Sequence, residues 1–250
     1  MKKVLFTFIL ISVMITGGYC LKPSAAPAGK KQPKVSCNVL TDKEKAEGWQ
    51  LLFDGKTISK WHVFNGKDAT KGWTIEDGCL KSLGNGGNDL VSVSDFENFE
   101  IQLEWRISKG GNSGIFYGVI EEPKYKTPYY TGAEYQLLDD IGFPAKLEES
   151  QLTGANYAMH VADKTKKRLQ TIGGPEFNIS KIVVNGAHVE HWLNGEKILE
   201  FERWTHDWNK RRIDSKWKDY PDYGLAKIGK VGLQDHGGCI WFRNIKIRKL

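Results

Sequence analysis

One segment of the chain alternates strictly between apolar and polar residues. In 99–107 (FEIQLEWRI) every odd position is apolar and every even position is polar. A period of two predicts a β-strand with one buried and one solvated face. The segment 188–201 alternates on both sides of Asn194-Gly195, a pair that favours a type I′ turn, and it therefore predicts a β-hairpin.

Shorter patterns of the same kind predict further strands at 51–53, 73–75, 79–83, 114–120, 133–138, 157–161, 181–185, 230–234 and 239–248. No stretch has the period of a long helix. About a dozen strands in about 210 residues predict an all-β fold, a β-sandwich of two curved antiparallel sheets. A curved sheet has a concave wet face, where side chains from several strands converge, and we expect the functional site there.

The segment 201–224 departs from the strand pattern. It is rich in aromatic and charged residues, and Pro221 lies near its end. Two interpretations remain open. It is a long surface loop folded over its own aromatic side chains. Alternatively, it forms a wall of a sugar site, since aromatic rings suit the apolar faces of pyranose rings.

Residues 1–20 resemble an export signal. Two lysines precede an apolar run, 4–15, which is too short to span a bilayer as a helix. Cys20 fits the lipidated cysteine of a bacterial lipoprotein, although the bulky Tyr19 before it fits ordinary signal cleavage better. We expect an exported protein of the periplasm or bacterial cell surface, either soluble or tethered to the membrane through Cys20.

The segment 21–40 is rich in Pro, Ala and Lys and predicts a flexible tether. A single domain over 41–250 then begins with a capping box from Thr41 to Glu44. Residues 1–34 hold six lysines and no acidic residue, so the net charge of +6 belongs to them and the rest of the chain is neutral. A neutral body does not indicate a nucleic-acid partner.

Three cysteines remain in the mature body, at Cys37, Cys79 and Cys239. None has the spacing of a zinc site. Export permits one disulfide among them, whereas the alternative is three small buried thiols.

Five short motifs resemble those of the 3-keto-disaccharide hydrolase domain family: 51–56 (LLFDGK), 111–115 (GNSGI), 134–139 (EYQLLD), 191–195 (HWLNG) and 232–237 (GLQDHG), the last followed by 242–245 (FRNI). The resemblance spans the mature body. It implies a concanavalin-like β-sandwich (jelly roll), bacterial export and cleavage of 3-keto-disaccharides or other 3-keto-glycosides. The cleavage would proceed by hydrolysis, or by elimination followed by hydration.

A ketone at C3 acidifies the hydrogen on C2, so such chemistry needs a general base, a stabiliser of the enolate oxygen and an acid for the leaving oxygen. Glu134 and Gln136 share one face of a predicted strand, while Tyr135 and Leu137 face the core. Glu134 is our candidate base, Gln136 a hydrogen-bond donor to substrate, and His236 a second proton-transfer group because histidine titrates near neutral pH.

Five other polar residues complete the candidate site. Asp139 is a second acid, or else a turn residue. Arg243 presents a cation to substrate, or else pairs with Glu104, which is itself a candidate contact. Gln234 and Asn112 are further candidate substrate contacts beside glycines.

Two histidines fit the site less well. His191 lies on the apolar face of the predicted hairpin, where a core histidine is expected, and His160 is a weaker candidate. No cofactor is required, and a calcium ion held by loop carboxylates stays open. Zinc-hydrolase, serine-esterase and nucleotide motifs are absent from the sequence.

Two other functions suit the same fold. A non-catalytic carbohydrate-binding module would present aromatic side chains in a shallow groove without paired acids. An interaction domain would use the aromatic segment 201–224 as an exposed apolar patch for a protein partner.

Overall fold

A computed structural model describes residues 37–66, 69–84, 86 and 88–250. The predicted export signal and the tether up to residue 36 lie outside the described residues. Within the described chain, no helix has the length and apolarity needed to cross a membrane.

The described residues form thirteen strands and two α-helices. The strands are β1 (Gln50–Leu51), β2 (Trp61–Val63), β3 (Trp73–Glu76), β4 (Cys79–Ser82), β5 (Leu90–Ser92), β6 (Phe99–Ile107), β7 (Asn112–Val119), β8 (Ala133–Leu138), β9 (Asn178–Asn185), β10 (His188–Leu193), β11 (Glu196–Glu202), β12 (Lys230–Leu233) and β13 (Ile240–Lys249). The helices are α1 (Asp42–Ala46) and α2 (His206–Asp214), and short 3₁₀ turns lie at Phe64–Gly66, Ala69–Lys71, Pro128–Tyr130, Glu149–Gln151 and Lys216–Asp219.

The strands make two antiparallel sheets. The larger has the order β11-β10-β9-β6-β13-β4-β3, with β1 added to β13, and the smaller has the order β2-β5-β12-β7-β8. This arrangement confirms the predicted all-β sandwich.

One apolar core fills the space between the sheets. Leu103 and Trp105 of β6 and Phe242 of β13 meet Tyr135 and Leu137 of β8, and all five are almost completely buried. Because side chains alternate along a strand, Glu134 and Gln136 must then lie on the outer face of the smaller sheet.

Several predicted elements match the structure closely. β6 and β8 have the predicted bounds, and Asn194 and Gly195 have the positive φ values (49° and 91°) of a type I′ turn. The capping box also forms, since Thr41 accepts from the Glu44 amide and the Glu44 side chain accepts from Thr41.

Other expectations fail. The predicted strand at 157–161 is wrong: residues 157–159 form a turn, and the preceding residue Asn156 makes isolated bridges to Tyr135 and His160. β2 and β5, three residues each, were not predicted because so short a run shows little periodicity. The segment 201–224 contains the nine-residue helix α2, which Thr205 caps by accepting from the Trp208 amide.

The domain begins before Thr41. Asn38 is buried, accepts a hydrogen bond of 2.8 Å from the Asn244 amide of β13 and donates to the Gly78 carbonyl. The last residues of the predicted tether are therefore fastened to the larger sheet. No disulfide joins the three cysteines of the described chain, and Cys79 is buried.

Candidate active site

Polar side chains line up on the outer face of the smaller sheet. Gly114 of β7 pairs with Gln136 of β8, and Phe116 pairs with Glu134. The backbone N–H of Gln234, just beyond β12, donates to the Gly114 carbonyl at 2.9 Å. Residues of three adjacent strands are thus brought to one place, although they are about 20 to 120 positions apart in sequence.

A cavity of about 320 Å³ lies on this face. Its floor comes from the sheet and its opposite walls from loops that cross over it. The described residues that line it are Asn112, Tyr129, Glu134, Gln136, Tyr157, Lys216, Asp219, Tyr220, Gln234 and His236.

Glu134 is the buried acid of the cavity, with 4% of its surface exposed. Burial raises the pKa of its carboxyl to about 8, because the charged form loses its hydration there. The positive charge of Lys216 and a hydrogen bond from the side-chain amide of Gln234 lower this pKa, while the negative charge of Asp89 raises it further. A carboxylate of this kind is a strong base near neutral pH.

Three amide side chains surround this acid. The oxygen atoms Asn112 Oδ1, Gln136 Oε1 and Gln234 Oε1 are buried without a hydrogen-bond partner among the described residues. Gln136 Nε2 donates to the Gln151 carbonyl at 3.1 Å, which fixes the orientation of that amide, since a carbonyl can only accept. Unpartnered buried acceptors are costly, so the cavity favours an occupant, water or a ligand, that donates several hydrogen bonds.

Lys216 provides the positive charge. Its Nζ lies 4.5 Å from the ring centres of Tyr157 and Trp217 and 5.6 Å from that of Tyr129, the geometry of cation–π contacts. Partial burial of the ammonium lowers its pKa, against the opposing influence of Glu134. Much of the residue is still open to solvent at the cavity wall.

His236 lies at the mouth of the cavity and is exposed. Partial desolvation of its ring is the largest influence and lowers its pKa. A hydrogen bond with its own backbone opposes this decrease, the charge of Lys216 adds to it, and the charge of Asp235 opposes it. The imidazole is therefore neutral at pH 7 and can accept a proton there.

The structure brings five of the sequence-predicted site residues together: Glu134, Gln136, Gln234, His236 and Asn112. Asp139 is a turn residue instead. Its carboxylate accepts from the backbone amides of Gly110, Ile141 and Gly142, and these bonds outweigh burial and lower its pKa.

Arg243 and Glu104 do not reach the cavity, which corrects their assignment as substrate contacts. They belong to β13 and β6 of the larger sheet, and Arg243 Nε donates to Glu104 Oε2 at 2.7 Å. Phe242 and Trp105, their neighbours in sequence, face the core, so this pair lies on the outer face of the other sheet, across the whole sandwich from Glu134.

The two doubtful histidines are buried among aromatic rings. His191 bridges the Gly154 carbonyl (2.9 Å) and the Tyr117 hydroxyl (3.1 Å), and burial lowers its pKa to about 3. His160 stacks on Phe201 at 4.4 Å, and burial lowers its pKa to about 4. His191 is the core histidine that its position predicts.

Among the described residues, one group has the spacing of metal ligands: His188, Glu190 and Glu200, with ligand atoms within 4.8 Å of one another. Lys197 forms ion pairs with both of these glutamates, so the group is an ordinary surface network. In the cavity itself, the carboxylate oxygens of Glu134 and Asp219 and the amide oxygens are the atoms that could hold a cation.

Sequence reasoning missed half of the cavity wall. Lys216, Asp219 and Tyr220 come from the segment 201–224, for which the sequence leaves open a surface loop or a wall of a sugar site. Tyr129 and Tyr157 come from loops with no motif, and only the fold places them over β8.

Comparisons with known proteins agree with this picture. The family described as 3-keto-alpha-glucoside-1,2-lyase-like domains matches residues 48–248. A 3-keto-disaccharide hydrolase of Bacteroides thetaiotaomicron is 35% identical over 234 residues, which cover 82% of this chain and 79% of that protein.

Two crystal structures from Parabacteroides distasonis, both of candidate glycosyl hydrolases, have the same fold. One has a TM-score of 0.81 at 45% identity and covers 86% of this chain and 100% of its own; the other has a TM-score of 0.62 at 26% identity, covering 81% and 99%. The chain therefore belongs to the family of 3-keto-alpha-glucoside-1,2-lyase-like domains and is a hydrolase-type enzyme.

Proposed function

We propose that this protein cleaves 3-keto-glycosides, 3-keto-disaccharides among them, in the cavity above β8. The observation that carries the proposal is the buried Glu134 carboxyl, which faces a cavity whose unpartnered amide oxygens require hydrogen-bond donors. Sugar hydroxyls are such donors, and a cavity of about 320 Å³ is within the range of small-ligand sites. The name of the Bacteroides relative supports the substrate class.

The first step is elimination. Glu134 removes the C2 hydrogen as a proton, and the electron pair of that bond forms the enolate of the C3 ketone. The enolate then re-forms the ketone as the C1–O bond breaks, giving a C1=C2 double bond. The leaving oxygen takes the bonding electrons and receives the proton from Glu134, so the second sugar or aglycone departs as an alcohol.

The second step is hydration. Water adds to C1 of the unsaturated ketone while C2 regains a proton, and the sum of both steps is hydrolysis. His236 suits this step because it is neutral at pH 7 and lies at the solvent-facing mouth, where it can accept the proton of the attacking water.

The test is incubation with a 3-keto-disaccharide and with the unoxidised disaccharide as control, followed by detection of the released sugar. Wild type should cleave only the keto compound, and Glu134→Gln should be slower by at least about 10²-fold. His236→Gln should accumulate the unsaturated ketone, which absorbs ultraviolet light. Cleavage by Glu134→Gln at the wild-type rate would refute the role of Glu134.

Adding a chelator to the same assay tests whether cleavage needs a divalent cation: a loss of cleavage that added cations restore would show that it does.

The same assay tests the alternative function. If the wild-type protein, with divalent cations supplied, binds the keto-disaccharide in a titration but does not cleave it, the chain is a carbohydrate-binding module instead.

We also propose export from a bacterial cell, supported by the signal pattern of residues 1–20. Fractionation of cells that express wild type or Cys20→Ser tests it. Release of the variant, but not of wild type, from membranes supports lipidation. Recovery of both proteins in the soluble exported fraction supports soluble secretion, and retention of both in the cytoplasm contradicts export.

A further inference from the structure

The proposed chemistry leaves one charge unaccounted for. Removal of the C2 proton puts negative charge on the oxygen at C3, and the barrier falls only if the protein stabilises that charge where it develops. Arg243 cannot do so, because it is paired with Glu104 on the opposite face of the sandwich.

The unpartnered buried amide atoms of the cavity do not supply this stabilisation. They are oxygens, which accept hydrogen bonds and repel an oxyanion. The donating group of Gln136 is already engaged with the Gln151 carbonyl. These amide oxygens thus suit the neutral hydroxyls of a sugar but not its enolate oxygen.

Lys216 has the properties that stabilisation of the enolate oxygen requires. Among the ten residues that line the cavity, it is the one with a formal positive charge at pH 7, given a neutral His236. It lines the same cavity as Glu134 and His236, and its charge acts on both of these proton-transfer groups. Its Nζ contacts ring faces, and no carboxylate oxygen of the described residues lies within 4.0 Å.

The position of Lys216 is fixed by its neighbour. Trp217 is completely buried, stacks on Tyr223 at 3.8 Å and donates from its indole nitrogen to the Tyr157 carbonyl at 2.9 Å. Ser215 caps the same 3₁₀ turn by accepting from the Trp217 amide. The base of the lysine is therefore rigid, and an ammonium held between aromatic rings needs little reorganisation when charge develops.

We propose that Lys216 is a catalytic residue whose ammonium donates a hydrogen bond to the C3 oxygen and stabilises the enolate that forms when the C2 proton is removed. No covalent bond forms between the lysine and the ketone. This inference rests on the proposed function, because it assumes a ketone in the cavity.

The experiment separates proton removal from cleavage. A 3-keto sugar that lacks a glycosidic substituent at C1, such as 3-keto-1,5-anhydroglucitol, exchanges its C2 hydrogen in D₂O when the enolate forms, and NMR follows the exchange. Lys216→Gln should lower both this exchange and the kcat for a 3-keto-disaccharide by about 10²- to 10³-fold, with a smaller change in KM. Lys216→Arg, which keeps the charge, should be faster than Lys216→Gln in both assays.

Lys218→Gln is the matched control. It lies in the same 3₁₀ turn, is exposed and does not line the cavity, so both rates should stay at the wild-type level. Thermal melting of each variant shows that it is folded.

Three results overturn the assignment. Exchange by folded Lys216→Gln at the wild-type rate shows that the ammonium does not stabilise the enolate. A sugar adduct on Lys216 after borohydride treatment shows covalent catalysis instead. A wild-type protein inert towards both compounds would refute the proposed function and this inference with it, whereas the first two results would refute the inference alone.

Discussion

The carboxyl group of Glu134 occupies the space that a side chain at position 114 would fill. A Cβ atom added to Gly114 would lie 2.8 Å from Glu134 Cγ, 2.9 Å from its Cδ and closer still to Oε1. Gly114 has ordinary strand geometry, so the glycine is required by this close approach and not by its backbone conformation. The GNSG motif and the acid of the neighbouring strand are therefore one structural unit.

Gly114→Ala should reduce cleavage of a 3-keto-disaccharide by about 10²-fold, since a displacement of about 1 Å is enough for such a loss. The backbone accepts alanine, so the fold should survive, as thermal melting and circular dichroism would show. Full activity in the variant would mean that the placement of the carboxyl is not critical.

Glu134→Gln should stabilise the protein at neutral and alkaline pH. In the unfolded chain the carboxyl loses its proton near pH 4.5, but the folded protein keeps it up to about pH 8. Because the folded state binds the extra proton, wild type loses stability as pH rises between these values. The Tm of the variant should exceed that of wild type by more at about pH 8.5 than at about pH 4.

The matched control for this measurement is Glu196→Gln at an exposed position of β11. Its Tm difference from wild type should not grow with pH. A Glu134→Gln variant that melts at or below the wild-type temperature at pH 8.5 would show that burial of the ionised carboxyl does not destabilise the folded protein.

The pH dependence of kcat/KM should show Glu134 acting as a base. A base works only when ionised, and burial raises the pKa of this carboxyl to about 8 in the free protein. Activity should therefore rise as the pH increases through this region. A profile that falls there instead would show that the protonated carboxyl is the active form and that Glu134 acts first as an acid.

Arg243→Gln should leave catalysis unchanged, because its guanidinium is across the sandwich from the cavity. The loss of the partly exposed ion pair with Glu104 and of the contact with the Phe177 ring (3.8 Å) should cost about 1 kcal/mol in the free energy of unfolding. Denaturant titration and steady-state kinetics measure the two effects. A large fall in kcat with unchanged stability would contradict this placement.

The sequence could predict the strands that cross the core. A strand such as β6 buries alternate residues, so its apolar periodicity is a direct imprint of the fold. β2 and β5 are too short to leave such an imprint, and in 157–161 the aromatic and apolar residues pack from turns instead of a strand. Burial without regular spacing cannot be recognised from one sequence.

The site was predictable only where strand parity and motifs agreed. Glu134 and Gln136 share a face by parity, and Gln234 and His236 lie at the end of the predicted strand 230–234. Arg243 also has an outward parity, but parity does not tell which of the two sheets a strand joins. The place of Lys216 in the cavity could not be predicted from the sequence. It depends on the packing of Trp217 against Tyr223, and both of these residues are far from β8 in sequence.

The anchorage of Asn38 on β13 and the β3–β4 turn has a consequence for ligand access. The first described residues of the domain are fastened to the larger sheet, whereas the cavity lies on the outer face of the smaller one. Binding in the cavity and attachment of this N-terminal segment therefore use different sheets, and changes to one need not disturb the other.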